Sequence, residues 1–205
     1  MRKFFIKLIS ENTASSAAEF ALVLPVLLIF LLGIIDVGRL MWTWNRAEKA
    51  TQMGVRYAAA TDPVATGIAT YSFATGGGGI PQGSSIGTSY FSSMTCGSTN
   101  CDSCSGSACG SLKTPYNATA FTNIVNRMKA FLPEMTAVNV EVQYDNSGIG
   151  YSGDPNGPDI APIVTVKIKN MAFRPIALLI FKTSITLPSF SAALTMEDGQ
   201  GTTSN

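Results

Sequence analysis

The 205-residue chain contains no histidine. That absence removes Ser-His-Asp and Cys-His catalysis, His-ligated metal sites and the usual proton shuttle near neutral pH. Only carboxylate, Lys, Tyr or Cys chemistry remains, and the expectation is a protein that is not an enzyme, needs no cofactor and turns over no small-molecule substrate. Charge is scarce as well. Charged residues make up 13% against 46% hydrophobic, and 14 Lys and Arg nearly cancel 13 Asp and Glu, so no bulk field gathers nucleic acid. Cysteine is confined to four residues in one short stretch. The length allows one domain of ordinary size with added elements and compels no second one.

What is abundant lies near the N-terminus. Phe20 to Ile35 reads "FALVLPVLLIFLLGII", sixteen residues without a charge, and the chain continues past Asp36 as "VGRLMWTW". At about 1.5 Å per residue the strict run spans roughly 24 Å, short of a hydrocarbon core of about 30 Å, so Ala17, Ala18, Leu40, Met41 and Trp42 must add length. Trp42 and Trp44 suit the far interface. Arg2, Lys3 and Lys7, opposed by Glu11, favour a cytoplasmic N-terminus, and Arg39, Arg46 and Lys49 beyond the run weaken that bias. A secretory signal shares this layout. Yet "DVGRLMW" offers no small-x-small cleavage pattern, and the run exceeds the usual apolar region of about 7 to 15 residues.

One carboxylate, Glu19, stands at the threshold of the run within "SSAAEFALVLP" (residues 15–25). As the first-turn acid of a helix it would favour the macrodipole. Inside hydrocarbon it would be costly and would call for a cationic partner.

A short basic leader, small residues, Glu-Phe, an apolar run with proline near its start, "DVGRL" at its end and then "ATQMGVRYAA" together resemble the TadE-like pseudopilins of tight-adherence (Tad) pili. The resembling stretch is about residues 13–60. It implies a prepilin peptidase cut between Ala14 and Ser15, which would leave Glu19 as the fifth residue of the mature chain with Phe20 beside it. The family most often has glycine before the cut, where this chain has Ala14. The cut would create an α-amino group, and the resemblance implies that Glu19 neutralises the amine of a neighbouring subunit as subunits dock.

The resemblance further implies a minor pilin of a Tad-type type IV pilus system, serving pilus biogenesis, surface adherence and secretion. Its setting would be the bacterial inner membrane, crossed once, with the C-terminal domain extracytoplasmic. Its partners would be the membrane, the prepilin peptidase, other pilin or pseudopilin subunits and the Tad inner-membrane platform. Two rival classes stand beside it: a membrane-anchored extracytoplasmic binding module that forms no filament, and an anchored redox protein using the cysteines.

Beyond the membrane run, "NRAEKATQMGVRYAAA" places Ala47, Ala50, Met53, Gly54, Tyr57 and Ala58 on one helical face. One helix from about Ser16 to Ala60 is predicted, with Pro25 as a point of kinking. From Thr61 to about Leu112 the composition turns to Gly, Ser, Thr and Ala and reads as a long loop or poorly ordered insert. "TGGGG" at 75–79 lacks the Gly-Lys-Ser/Thr of a phosphate loop. Cys96, Cys101, Cys104 and Cys109 form a C-x4-C-x2-C-x4-C array, for which disulfides, zinc or an iron-sulfur cluster compete. An extracytoplasmic loop favours disulfides, with nested and sequential pairings both open.

"AFTNIVNRMKAFLP" carries Phe121, Ile124, Val125, Met128, Phe131 and Leu132 at helical spacing, ended by Pro133. "AVNVEVQYD" alternates Val138, Val140, Val142 and Tyr144, and "IVTVKIKN" alternates Val164, Val166 and Ile168, so an antiparallel pair of strands is predicted. Asp145, Asp154 and Asp159 in the connection fit no calcium loop and read as a solvated turn. "FRPIALLIF" (173–181) is too short to span a membrane and reads as a buried or interfacial helical turn. "SITLPSFSAALTME" would close the sheet at an edge, broken at Pro188. The predicted class is α+β: a long N-terminal transmembrane helix continuing into a pilin-like head. Its divisions are a leader (1–14), a membrane helix (15–44), its continuation (45–60), a cysteine-containing loop (61–115), the head (116–196) and a disordered tail (197–205).

Overall fold

The computed structural model describes residues 12–76, 79–177, 183–196 and 199–203, with side chains from Ser16 onward. It is an α+β chain. Helix α1 (Asn12–Ala60) is followed by the short helix α2 (Gly67–Thr70), strands β1 (Ser93–Cys96) and β2 (Cys101–Ser105), and the helical turn α3 (Cys109–Leu112). Then come helix α4 (Ala118–Lys129) and strands β3 (Val140–Asp145), β4 (Ile163–Ile168), β5 (Ala172–Phe173), β6 (Ile185–Thr186) and β7 (Phe190–Thr195). The chain divides into two compact units: Met1–Trp42 with Ala172–Ile185, and Thr43–Met171 with Thr186–Asn205.

In the first unit, α1 carries its apolar run outward. Phe20, Leu22, Val26, Ile29, Phe30 and Ile34 are each more than half exposed. Pro25 lies inside the helix without ending it. Among the described residues this is the one helix long and apolar enough to cross a membrane.

In the second unit the same helix changes its habit. Ala47, Ala50, Thr51, Gly54, Val55, Ala58 and Ala59 are buried, a stripe at spacings of three and four built almost wholly of small residues. Small side chains let the helix backbone lie close to its neighbours: a Cβ on Gly54 would meet Met128 of α4 and Val166 of β4. Met53 and Tyr57, expected on this face, are half-buried at its margin. Arg46 fastens the start of the stripe, its Nε donating to Phe131 O at 2.8 Å and its Nη1 pairing with Glu134 at 2.9 Å.

The sheet of this unit has the order β2-β1-β3-β4-β7, antiparallel throughout. β3 and β4 alternate buried with half-buried residues, so Val140, Val142 and Tyr144 share an inner face with Val164, Val166 and Ile168. β7 is an edge, as Pro188 leads one to expect. α4 buries Phe121, Ile124, Val125 and Met128. Its N-cap is Asn117, whose side chain accepts from Ala120 N at 3.0 Å.

Several expectations are revised. Residues 61–115 are not a loosely ordered loop: Val64, Ile68, Phe73, Phe91, Met94 and Leu112 are fully buried, and β1 joins the sheet between β2 and β3. These apolar anchors are widely spaced, so no short window of sequence looks hydrophobic although the segment supplies a good part of the core. Val138 is 70% exposed, because Ala137–Asn139 forms a 3-10 turn closed by reciprocal Thr136 and Asn139 bonds, and the strand begins at Val140. α4 stops at Lys129, ahead of Pro133, and Phe131 lies in the following turn.

Asp159 is buried rather than solvated, and it accepts from Phe73 N at 2.6 Å and Asp154 N at 3.0 Å. The tail is ordered where it is described: Gly201 exchanges two hydrogen bonds with Asp62, at 2.9 and 2.8 Å, and Tyr57 donates to Thr202 O. Of "FRPIALLIF", Phe173 ends strand β5 rather than entering a helical turn, and residues 178–181 lie outside the described residues.

Candidate functional site: the apolar helix and its carboxylates

Three groups of residues stand out. The first is the start of α1. Ala14 and Ser15, the expected processing residues, are both within the helix, which begins at Asn12. Glu19 and Phe20 are exposed on the next turn. Ser15 and Glu19 are four residues apart, so they share one face with a rise of about 6 Å between them. A chain that began at Ser15 would therefore place its own amine one turn below a carboxylate, and that carboxylate would lie near the positive end of the helix.

The second group is one the sequence reading passed over. Asp36, on α1 at the end of the uncharged run, is only 7% exposed. Ile176 N–H donates to its Oδ1 at 2.8 Å and Ala177 N–H to its Oδ2 at 2.7 Å. Arg39, one turn further along the helix, pairs with Oδ1 at 3.0 Å and lies with its guanidinium carbon 5.4 Å from the centre of the Phe173 ring. Its Nη1 also reaches Arg174 O, at 3.4 Å. The carboxylate thus receives two backbone donors and one cation, and the guanidinium shares its charge between a carboxylate, a carbonyl and an aromatic face. One signal was available in the sequence. An acid followed three residues later by an arginine inside an apolar helix is costly unless paired.

The third group is the cysteine hairpin. Cys96 pairs with Cys101 and Cys104 with Cys109, the sequential pattern. The first bond links register partners of β1 and β2, and the second fastens β2 to α3. With both pairs formed, the four sulfurs are disulfide-bonded rather than metal ligands. Tyr116 donates to Gly97 O at 3.0 Å and so holds the turn between the strands. Burial raises the Tyr116 phenol above its ordinary range.

The long, outward-facing apolar helix near the N-terminus suggests membrane anchoring, and it is followed by an α+β arrangement with two local disulfides. More specifically, residues 14–56 match the family model described as TadE-like protein. That span contains Ala14, Ser15, Glu19, Phe20 and Asp36 and runs into the small-residue stripe of α1. It agrees with the resemblance drawn from the sequence and supports a Tad pilus-associated protein. No match to the chain was found among curated proteins or among solved structures.

Proposed function

We propose that the chain is a minor pilin, or pseudopilin, of a Tad-type pilus assembly system, and that it acts without catalysing a reaction. The observation that carries this reading is the TadE-like match over residues 14–56, lying on a single long helix whose apolar part faces outward. The protein enters the bacterial cytoplasmic membrane with its N-terminus inside, and a prepilin peptidase cuts between Ala14 and Ser15. The new amine and Glu19 then form complementary charges at the lipid boundary. Pairing between neighbouring subunits sets their register, because an unpaired carboxylate or ammonium there is costly. Contacts of this head-to-tail kind are heterologous, and a rotation that does not close gives a filament. Other pilin subunits and the Tad platform are the partners, and adherence or secretion is the outcome.

Glu19→Ala tests the assignment. It is expected to leave membrane insertion intact and to abolish incorporation into sheared pilus fractions, with Glu19→Asp restoring part of it. Normal incorporation of the alanine variant would remove Glu19 from the mechanism.

A second reading, a membrane-anchored binding module without a filament, is favoured by one feature. The disulfide-tied strand β2 is a sheet edge with exposed residues at Asp102, Ser103 and Ser105, suited to contact with another protein. That reading expects an uncut chain.

A further inference from the structure

Residues 173–177 have no role in pilin assembly as described, yet they are bound to α1 by the most buried carboxylate of the apolar helix. We propose that this segment, held by Asp36, is a second contact with the bilayer, seated in the acyl region of the extracytoplasmic leaflet beside α1. The proposal rests on the membrane anchoring of α1 and is independent of filament formation.

Four observations point to lipid as the occupant. The backbone N–H groups of Ile176 and Ala177 both end on Asp36, as hydrocarbon requires of any chain that leaves regular structure within it. Asp36 is paired with Arg39, whose Nη1 donates to Asp36 Oδ1 and to Arg174 O and whose guanidinium lies against Phe173, so the carboxylate's charge is met by a cation on its own helix. Around Asp36 the helix presents Ile34, Ile35 and Val37, at 57, 44 and 59% exposure, and the segment itself presents Ile176 at 40%. Finally, Arg174, two residues before Ile176, is exposed, a cation whose long stem lets its head reach lipid phosphates.

Length agrees with this placement. The uncharged run alone spans roughly 24 Å, too little for the bilayer core. Beyond the Asp36–Arg39 pair, the apolar surface of α1 continues through Met41 and Trp42, at 54 and 68% exposure. Phe20 to Trp42 then spans roughly 34 Å, enough to cross the core with modest tilt. Asp36 comes to lie within the outer leaflet, at the depth where the segment is held.

The test uses the full chain in vesicles of phosphatidylcholine and phosphatidylglycerol. An environment-sensitive fluorophore is placed on single added cysteines, Ile176→Cys, Val26→Cys in the apolar helix and Val138→Cys in the second unit; the native cysteines are paired. Quenching by nitroxides on lipid acyl chains is compared with quenching by aqueous iodide. The label at 176 is expected to follow the one at 26, with acyl-nitroxide quenching about threefold or more above that at 138. Asp36→Asn should lower acyl-nitroxide quenching at 176 and leave that at 26 unchanged. Iodide quenching at 176 equal to that at 138 would overturn the proposal. So would shielding from both quenchers, which would mean a protein cover, or indifference of position 176 to Asp36→Asn. An unquenched label at 26 would instead overturn the membrane anchoring itself, and this proposal with it.

Discussion

Gly54 and Met128 leave no room for a methyl group between them: a Cβ added to the glycine would stand 2.7 Å from Met128 Cγ and 2.8 Å from its Sδ, with Val166 Cγ1 at 3.3 Å. Helix propensity alone would favour almost any residue over glycine at this place, by about 1 kcal/mol for alanine. Packing outweighs it for anything branched. Gly54→Val is expected to destabilise the second unit by about 1–3 kcal/mol, read as a lowered denaturation midpoint at unchanged slope in urea. A midpoint at or above wild type would show that the α1–α4–β4 contact is looser than the structure has it.

Tyr144 ties the sheet to the chain beyond α1, accepting from Val64 N at 2.9 Å with no exposed surface of its own. Burial pushes its phenol well above the ordinary range; the Val64 N–H opposes that shift and nearby Tyr116 adds to it. The folded protein therefore holds this proton more tightly than the unfolded chain does. Its contribution is complete below the unfolded value of about 10 and is lost as pH rises above it. Alkaline titration followed at the phenolate absorbance should show Tyr144 ionising only together with unfolding. Tyr144→Phe should lose about 1–3 kcal/mol at neutral pH, because Val64 N–H is left without its partner, and should flatten the alkaline decline. Smooth ionisation of every tyrosine before unfolding would contradict the burial.

The disulfides make a prediction that needs no mutation. Cleavage before Asp102 falls between the Cys96–Cys101 and Cys104–Cys109 pairs, so under non-reducing conditions the two bonded loops should separate into different peptides. A nested pairing would keep them joined. Each bond closes a short loop with a separation of 5, and replacing one pair by serine should cost about 2 kcal/mol.

Much of this structure was legible where periodicity is local. The long helix, the α4 face and the β3–β4 pair follow from spacings of three, four or two within about a dozen residues. The core contribution of residues 61–115 was not legible, because Phe73, Phe91 and Met94 stand mostly among small and polar residues and their settings are long-range: Met94 pairs with Tyr144 across β1 and β3, Phe73 N bonds to Asp159, and Phe91 O accepts from Asn146. Val138 fits the strand alternation, yet the Thr136–Asn139 turn removes it from the sheet. The tail, poor in apolar residues, is held by Asp62, whose N–H donates to Gly201 O and whose carboxylate accepts from Gly201 N, a contact no composition reveals. Asp36 was visible as a residue but not as a site. Its meaning comes from Ile176 and Ala177, about 140 positions later, whose amides it receives.

The proposed role of the α1 start as a processed assembly signal rests on one cut, and the intact mass and N-terminal sequence of the protein taken from membranes, with and without a prepilin peptidase, test it. A chain beginning at Ser15, with Glu19 at the fifth position, is expected when the peptidase is present, and a chain retaining residues 1–14 when it is absent. An unprocessed N-terminus in the presence of an active peptidase would contradict that role and leave the anchored binding module as the better description.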